Sequence, residues 1–193
     1  MRMNQDNALQ VTVSGSLRDV AEHQGLPLQE AFLGARVVVV FDSSASMSLE
    51  DSRGGRQRYE VAREELHRLQ AKHPGQVALF AFSSEVIPVP GGDPPYLGAS
   101  TNLADALRMV KLADTEDMKF IVISDGEPDS EKEALEVAES FKNVIHGIFA
   151  GSETDNRGRQ FLESLTGASG GTSRTAHRAV DLLDEIEMLL LEA

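Results

Sequence analysis

The chain has no cysteine among its 193 residues. It can therefore form no disulfide framework, thiolate metal site or cysteine nucleophile, and any metal must be held by oxygen or imidazole. Positive charge is also scarce: 18 Lys and Arg stand against 31 Asp and Glu, a net charge of -13. That balance repels phosphate backbones, and no basic stripe interleaved with aromatics offsets it locally, so nucleic acid is not an expected partner. No apolar run approaches the ~20 residues needed to span a bilayer. The opening stretch MRMNQDNALQVTVSGS lacks an apolar core between a cationic start and a small-residue cleavage site. It does not read as a secretory signal, and a cytoplasmic location is expected. Repeats and low-complexity tracts are missing too. The five histidines are scattered, without the His-x-x-x-His spacing of a helical zinc site.

What remains is ordinary globular composition, 41% hydrophobic and 25% charged, at a length that suits one domain. From Arg36 onward, short apolar runs alternate with amphipathic segments. This pattern predicts an α/β fold: a Rossmann-like, doubly wound, mostly parallel sheet with helices on both faces. Strands are expected at 36–42 (RVVVVFD), 77–83 (VALFAFS), 119–124 (KFIVIS) and 143–150 (NVIHGIFA). The first and third, nearly continuous in apolar residues, should be central. The segment 86–90 (VIPVP) reads as a short antiparallel edge strand, because Pro88 and Pro90 cannot donate to a ladder. A last strand is expected at 171–175.

Helical faces are formed by Tyr59, Ala62, Leu66 and Leu69, by Leu103, Ala106, Leu107 and Val110, and by Ala134, Leu135, Ala138 and Phe141. Ser130 and Glu133 form a capping box at the start of the third. Phe161, Leu162 and Leu165 predict a short helix, and Val180, Leu183, Ile186, Leu189 and Leu190 a closing one. Residues 1–34 fit this scheme poorly, since Gly25 and Pro27 interrupt any long helix; they are read as an N-terminal accessory segment before a domain at 35–193.

Chemistry concentrates at the strand ends. After the first strand comes Asp42-Ser43-Ser44-Ala45-Ser46, which places a carboxylate and two hydroxyls where open α/β sheets bind ligands. In an extended turn, Asp42, Ser44 and Ser46 would converge while Ser43 and Ala45 turn away. Thr101 follows the proline-rich loop and opens the next helix, and Asp125 closes the third major strand in Ser124-Asp125-Gly126. Lying at a strand end, Asp125 is expected to face solvent. Such oxygens suit Mg2+, a hard ion that prefers octahedral oxygen ligands at ~2.1 Å. Met47 and Met109 are read as packing residues, because a thioether is too soft for Mg2+.

At these residues the sequence resembles the von Willebrand factor A family, whose metal-ion-dependent adhesion site consists of Asp-x-Ser-x-Ser, a distant Thr and an Asp before Gly. All five positions match, at Asp42, Ser44, Ser46, Thr101 and Asp125. Ala45 and Ser100 depart from the glycines the family often has there. The resemblance implies that Ser44 and Ser46 coordinate Mg2+ (or Mn2+) directly, and that Asp42, Asp125 and Thr101 do so directly or through water. It also implies a protein-binding module in which the ion takes a partner's Asp or Glu carboxylate, with specificity from the surrounding loops. Related domains often act as adaptors beside ATPases of the AAA+ class.

Two other readings stay open. One is a structural scaffold with an idle metal site. The other is a Mg2+-dependent phosphohydrolase, since an aspartate ending a first strand also marks aspartate-nucleophile phosphatases. That chemistry wants Asp-x-Asp, and Ser44 stands where the second carboxylate would serve as general acid and base.

Overall fold

The computed structural model describes residues 11–115 and 117–176. Among these residues six strands form one sheet in the order β3-β2-β1-β4-β5-β6. They are β1 Val37–Asp42, β2 Val77–Phe82, β3 Val86–Pro88, β4 Lys119–Ser124, β5 Ile145–Phe149 and β6 Ser173–Thr175. Every pairing is parallel except the antiparallel β2–β3 hairpin at one edge. The two strands richest in continuous apolar residues, β1 and β4, lie side by side at the centre, Val38 opposite Phe120 and Val40 opposite Val122.

Period-two alternation explains that placement. Val38, Val40, Phe120 and Val122 enter the core on one face, whereas Val37, Val39, Ile121 and Ile123 enter a second core on the other. A strand covered on both sides has no solvent face to make polar. On the first face lie α4 Leu103–Val110, α5 Glu131–Glu139 and α6 Asn156–Ala168. On the second, α3 Arg58–Lys72 buries Val61, Ala62, Leu66 and Leu69. Met47 joins this second core, and Met109 is exposed.

Helix ends follow local chemistry. Asn102 accepts from the Asp105 amide to cap α4, so Thr101 precedes the helix and does not open it. At α5, Ser130 accepts from the Glu133 amide as the capping box requires. The Glu133 carboxylate, however, pairs with Arg108 at 3.0 Å, an ionised partner that outcompetes the Ser130 amide. The helix predicted around Phe161 is longer than expected, 13 residues, begun by Asp155, which accepts from the Arg157 and Gly158 amides.

Gly25 and Pro27 divide residues 17–33 into α1 Leu17–Gln24 and α2 Leu28–Leu33, Gly25 closing α1 at φ 67°. Leu17, Ala21 and Ala31 belong to the first core. Backbone bonds from Val13 to Gly91 and from Arg18 to Pro90 tie this segment to the loop after β3. No helix of the described residues is long and apolar enough to cross a membrane. The helix expected from Val180 to Leu190 lies outside the described residues.

Candidate metal centre

The five singled-out residues come from three segments at the carboxyl ends of β1 and β4 and before α4. Side-by-side pairing of β1 and β4 brings the first two segments together, although Asp42 and Ser124 are 82 residues apart. Ser124 Oγ donates to Asp42 Oδ2 at 2.6 Å, and the Ser44 amide donates to Asp42 Oδ1 at 2.9 Å. The third segment is stitched in by its backbone. The Ala45 amide donates to Ala99 O, and the Leu97 and Gly98 amides donate to Ser43 O. Asp129 completes the ring: its carboxylate accepts from the Thr101 amide at 3.0 Å, and its own amide donates to Thr101 O.

The Asp-x-Ser-x-Ser turn is not extended throughout. Ser44 is extended, but Ala45–Ser48 winds into a short 3-10 turn. The hydroxyls converge all the same, Ser44 Oγ and Ser46 Oγ lying 3.2 Å apart. Neighbouring ligands on a Mg2+ octahedron with ~2.1 Å bonds lie about 3.0 Å apart, so the pair is spaced as two such ligands. Among the described residues no three His, Cys, Asp or Glu side chains gather as a metal site, so a cation held here would need the hydroxyls beside Asp42 and Asp125.

Electrostatics favour a cation. Asp42 is fully buried, and burial pushes its carboxyl up from the usual range to about 7, with the Asp125 charge adding to the rise and hydrogen bonds from Ser124 and Ser44 opposing it. A carboxylate in this position gains more from a nearby cation than one in water.

Asp125 corrects an expectation. It does not face solvent; it is 0% exposed and accepts from Arg58 Nη1 at 2.8 Å through Oδ2. The reason lies in the neighbouring chain. Gly126 turns at φ 78°, and a Cβ there would collide with the Gly158 carbonyl, so α6 sits directly against the loop. From the other side the first residue of α3, Arg58, covers the carboxylate. Sequence reasoning did not assign Arg58 or Ser124 a place in the site, and read Asp129, with Glu127, only as an acid near enough to shape partner choice. The available signal was Ser124 next to Asp125; nothing local marks Arg58, 67 residues from its partner.

With that geometry established, comparison places the fold. No protein-family profile matches the chain, and no curated protein matches it in sequence. Solved structures do match in fold, one of them a von Willebrand factor type A protein, so the six-stranded, mostly parallel sheet with one antiparallel edge is von Willebrand factor A-like in fold.

An aerotolerance-related membrane protein from Bacteroides fragilis superposes with a TM-score of 0.62 at 15% identity, over 83% of this chain and 100% of that one. A von Willebrand factor type A protein from Catenulispora acidiphila gives 0.54 at 14% identity, over 78% of this chain and 41% of that one. The manganese-loaded TRAP protein of Plasmodium vivax gives 0.51 at 17% identity, over 76% and 70%. At such identities the likeness is one of fold.

Proposed function

We propose that the chain is a divalent-cation-dependent protein-binding module that holds Mg2+, or Mn2+, through Asp42, Ser44, Ser46, Thr101 and Asp125. The single observation that carries this reading is the convergence of the Ser44 and Ser46 hydroxyls, 3.2 Å apart, beside the buried Asp42. A manganese-loaded protein of the same fold supports it. The bound ion would supply a Lewis-acidic position for an incoming carboxylate from a partner's Asp or Glu.

The chain's own residues perform the rest. Ser44 and Ser46 offer neutral oxygens, which leave an ion more of its charge than carboxylates would. Asp42 is restrained by Ser124 and the Ser44 amide, so its carboxyl group is fixed in place without either oxygen being free to rotate away. Asp125 is shared with Arg58, which lowers the negative charge it presents. A partly neutralised site is suited to attract a further anion. Binding, not hydrolysis, follows from this chemistry: Ser44 cannot act as the acid–base carboxylate of a phosphohydrolase. A partner in an AAA+ ATPase system and a cytoplasmic setting belong to the same proposal.

The test is titration calorimetry with Mg2+ and Mn2+, followed by selection from a random peptide library in Mg2+ or in chelator. One equivalent of ion taken up by wild type and none by Asp42→Ala is expected, with Mg2+-dependent enrichment of one Asp or Glu position. Ion uptake without any metal-dependent peptide would favour the scaffold reading. Hydrolysis of p-nitrophenyl phosphate abolished by Asp42→Ala would favour the enzyme.

A further inference from the structure

Arg58 has a role that the five-residue motif does not contain. Its side chain is 5% exposed, at the first turn of α3, where its amide is held by Leu49 O. Nε and Nη2 donate to the two Asp51 oxygens at 2.7 and 2.9 Å, a bidentate pair that fixes the plane of the guanidinium. Nη1 then points inward and donates to Asp125 Oδ2 at 2.8 Å and to Glu127 Oε1 at 3.2 Å. A fixed internal cation thus lies against a fully buried carboxylate of the candidate site. The same carboxylate accepts from the Glu127 amide through Oδ1 at 3.3 Å, so both of its oxygens already have donors.

We infer that Arg58 is a built-in counter-cation of the ion site: it offsets the buried charge of Asp125 when no ion is bound, and it lowers ion affinity by competing for that charge. The inference rests on the ion-binding reading above. Two cations that share one carboxylate repel each other, and attraction to the shared anion is divided between them. Whatever the guanidinium does to ion binding, the ion must do equally to the guanidinium's hold on Asp125. Arg58 therefore stabilises the ion-free protein more than the ion-bound one, and taking it away should strengthen ion binding. A residue that merely oriented Asp125 for the ion would have the opposite effect, because its loss would weaken binding.

The experiment compares wild type, Arg58→Gln and Arg58→Lys as the full chain, with Mg2+ affinity measured by calorimetry and thermal unfolding followed in chelator and in saturating Mg2+. Arg58→Gln is expected to bind Mg2+ at least about fivefold more tightly, the lower end of ordinary coupling. It should also lose more of its melting temperature in chelator than in Mg2+. Arg58→Lys, which keeps the charge without the fork, should lie nearer wild type. If Arg58→Gln folds only when Mg2+ is present, the ion has replaced the guanidinium and the inference stands. Affinity that is unchanged or weaker in Arg58→Gln overturns it, as does failure to fold even in saturating Mg2+. A wild type that takes up no Mg2+ removes the ion-site reading itself, an outcome distinct from uptake by wild type with the wrong response in Arg58→Gln.

Discussion

Ser124 and Asp42 are joined by a 2.6 Å hydrogen bond between the ends of adjacent central strands, and Ser124 Oγ also accepts from the Gly126 amide at 3.0 Å. One hydroxyl thus ties together the two loops that carry the carboxylates. Ser124→Ala leaves a buried Asp42 oxygen without its donor and the Gly126 amide without its acceptor. It should cost about 1–3 kcal/mol, the penalty for orphaning a buried polar group. Urea unfolding in chelator measures this, and a loss under about 0.5 kcal/mol would mean that another donor replaces Ser124.

The burial of Asp42 predicts a pH dependence. Its folded value, about 7, lies above that of an unfolded aspartate, so the folded chain keeps a proton that the unfolded chain has released. This contribution to stability is fully present below about pH 4 and is lost as pH rises to about 7. Asp42→Asn cannot ionise and should flatten that part of the profile. The difference between wild type and Asp42→Asn in chelator, followed by urea unfolding across this range, isolates the group from other titrations. Mg2+ affinity of wild type should rise over the same range, because an ion displaces the proton.

Two glycines separate close approach from conformational freedom. Gly126→Ala places a methyl against the Gly158 carbonyl at a positive φ, and should destabilise by roughly 2 kcal/mol or more while displacing Asp125. Gly167→Ala, within α6, meets nothing within 4 Å and should stabilise by about 0.5–1 kcal/mol. Thermal unfolding of both variants, with Mg2+ calorimetry, checks the pair; equal effects would refute the contact.

Ala99 is held at φ 60° while its carbonyl accepts from the Ala45 amide, so the loop before Thr101 is kept in a strained conformation by its bond to the Asp-x-Ser-x-Ser turn. Ala99→Gly should change stability by no more than about 0.5 kcal/mol, relief of strain offsetting the entropy of glycine. Ala99→Val should cost about 2 kcal/mol and weaken Mg2+ binding, since a β-branched residue resists positive φ. A tolerated valine would show that the loop finds another path.

The sequence by itself determined the layers of this protein. The run Val37–Val38–Val39–Val40 read as a strand covered on both faces, Pro88 confined its strand to the edge, and the spacing of Leu66 and Leu69 or of Leu103 and Leu107 marked which helix faces are buried. Such features are legible because burial repeats with the period of the local backbone. Asp42, Ser44 and Ser46 were legible for a similar reason, since three oxygens within five residues share one turn.

Only the tertiary structure decided the surroundings of Asp42 and Asp125. Ser124 reaches Asp42 because β1 and β4 are neighbours, Asp129 secures Thr101 from across the site, and Arg58 covers Asp125 because α3 begins beside the strand ends. The capping box at Ser130 lost its second half to Arg108 on another helix. These pairings join residues 25 to 82 positions apart, and no local period records them. Strand order and helix placement set which charged side chains meet, and the burial that follows makes each meeting strong.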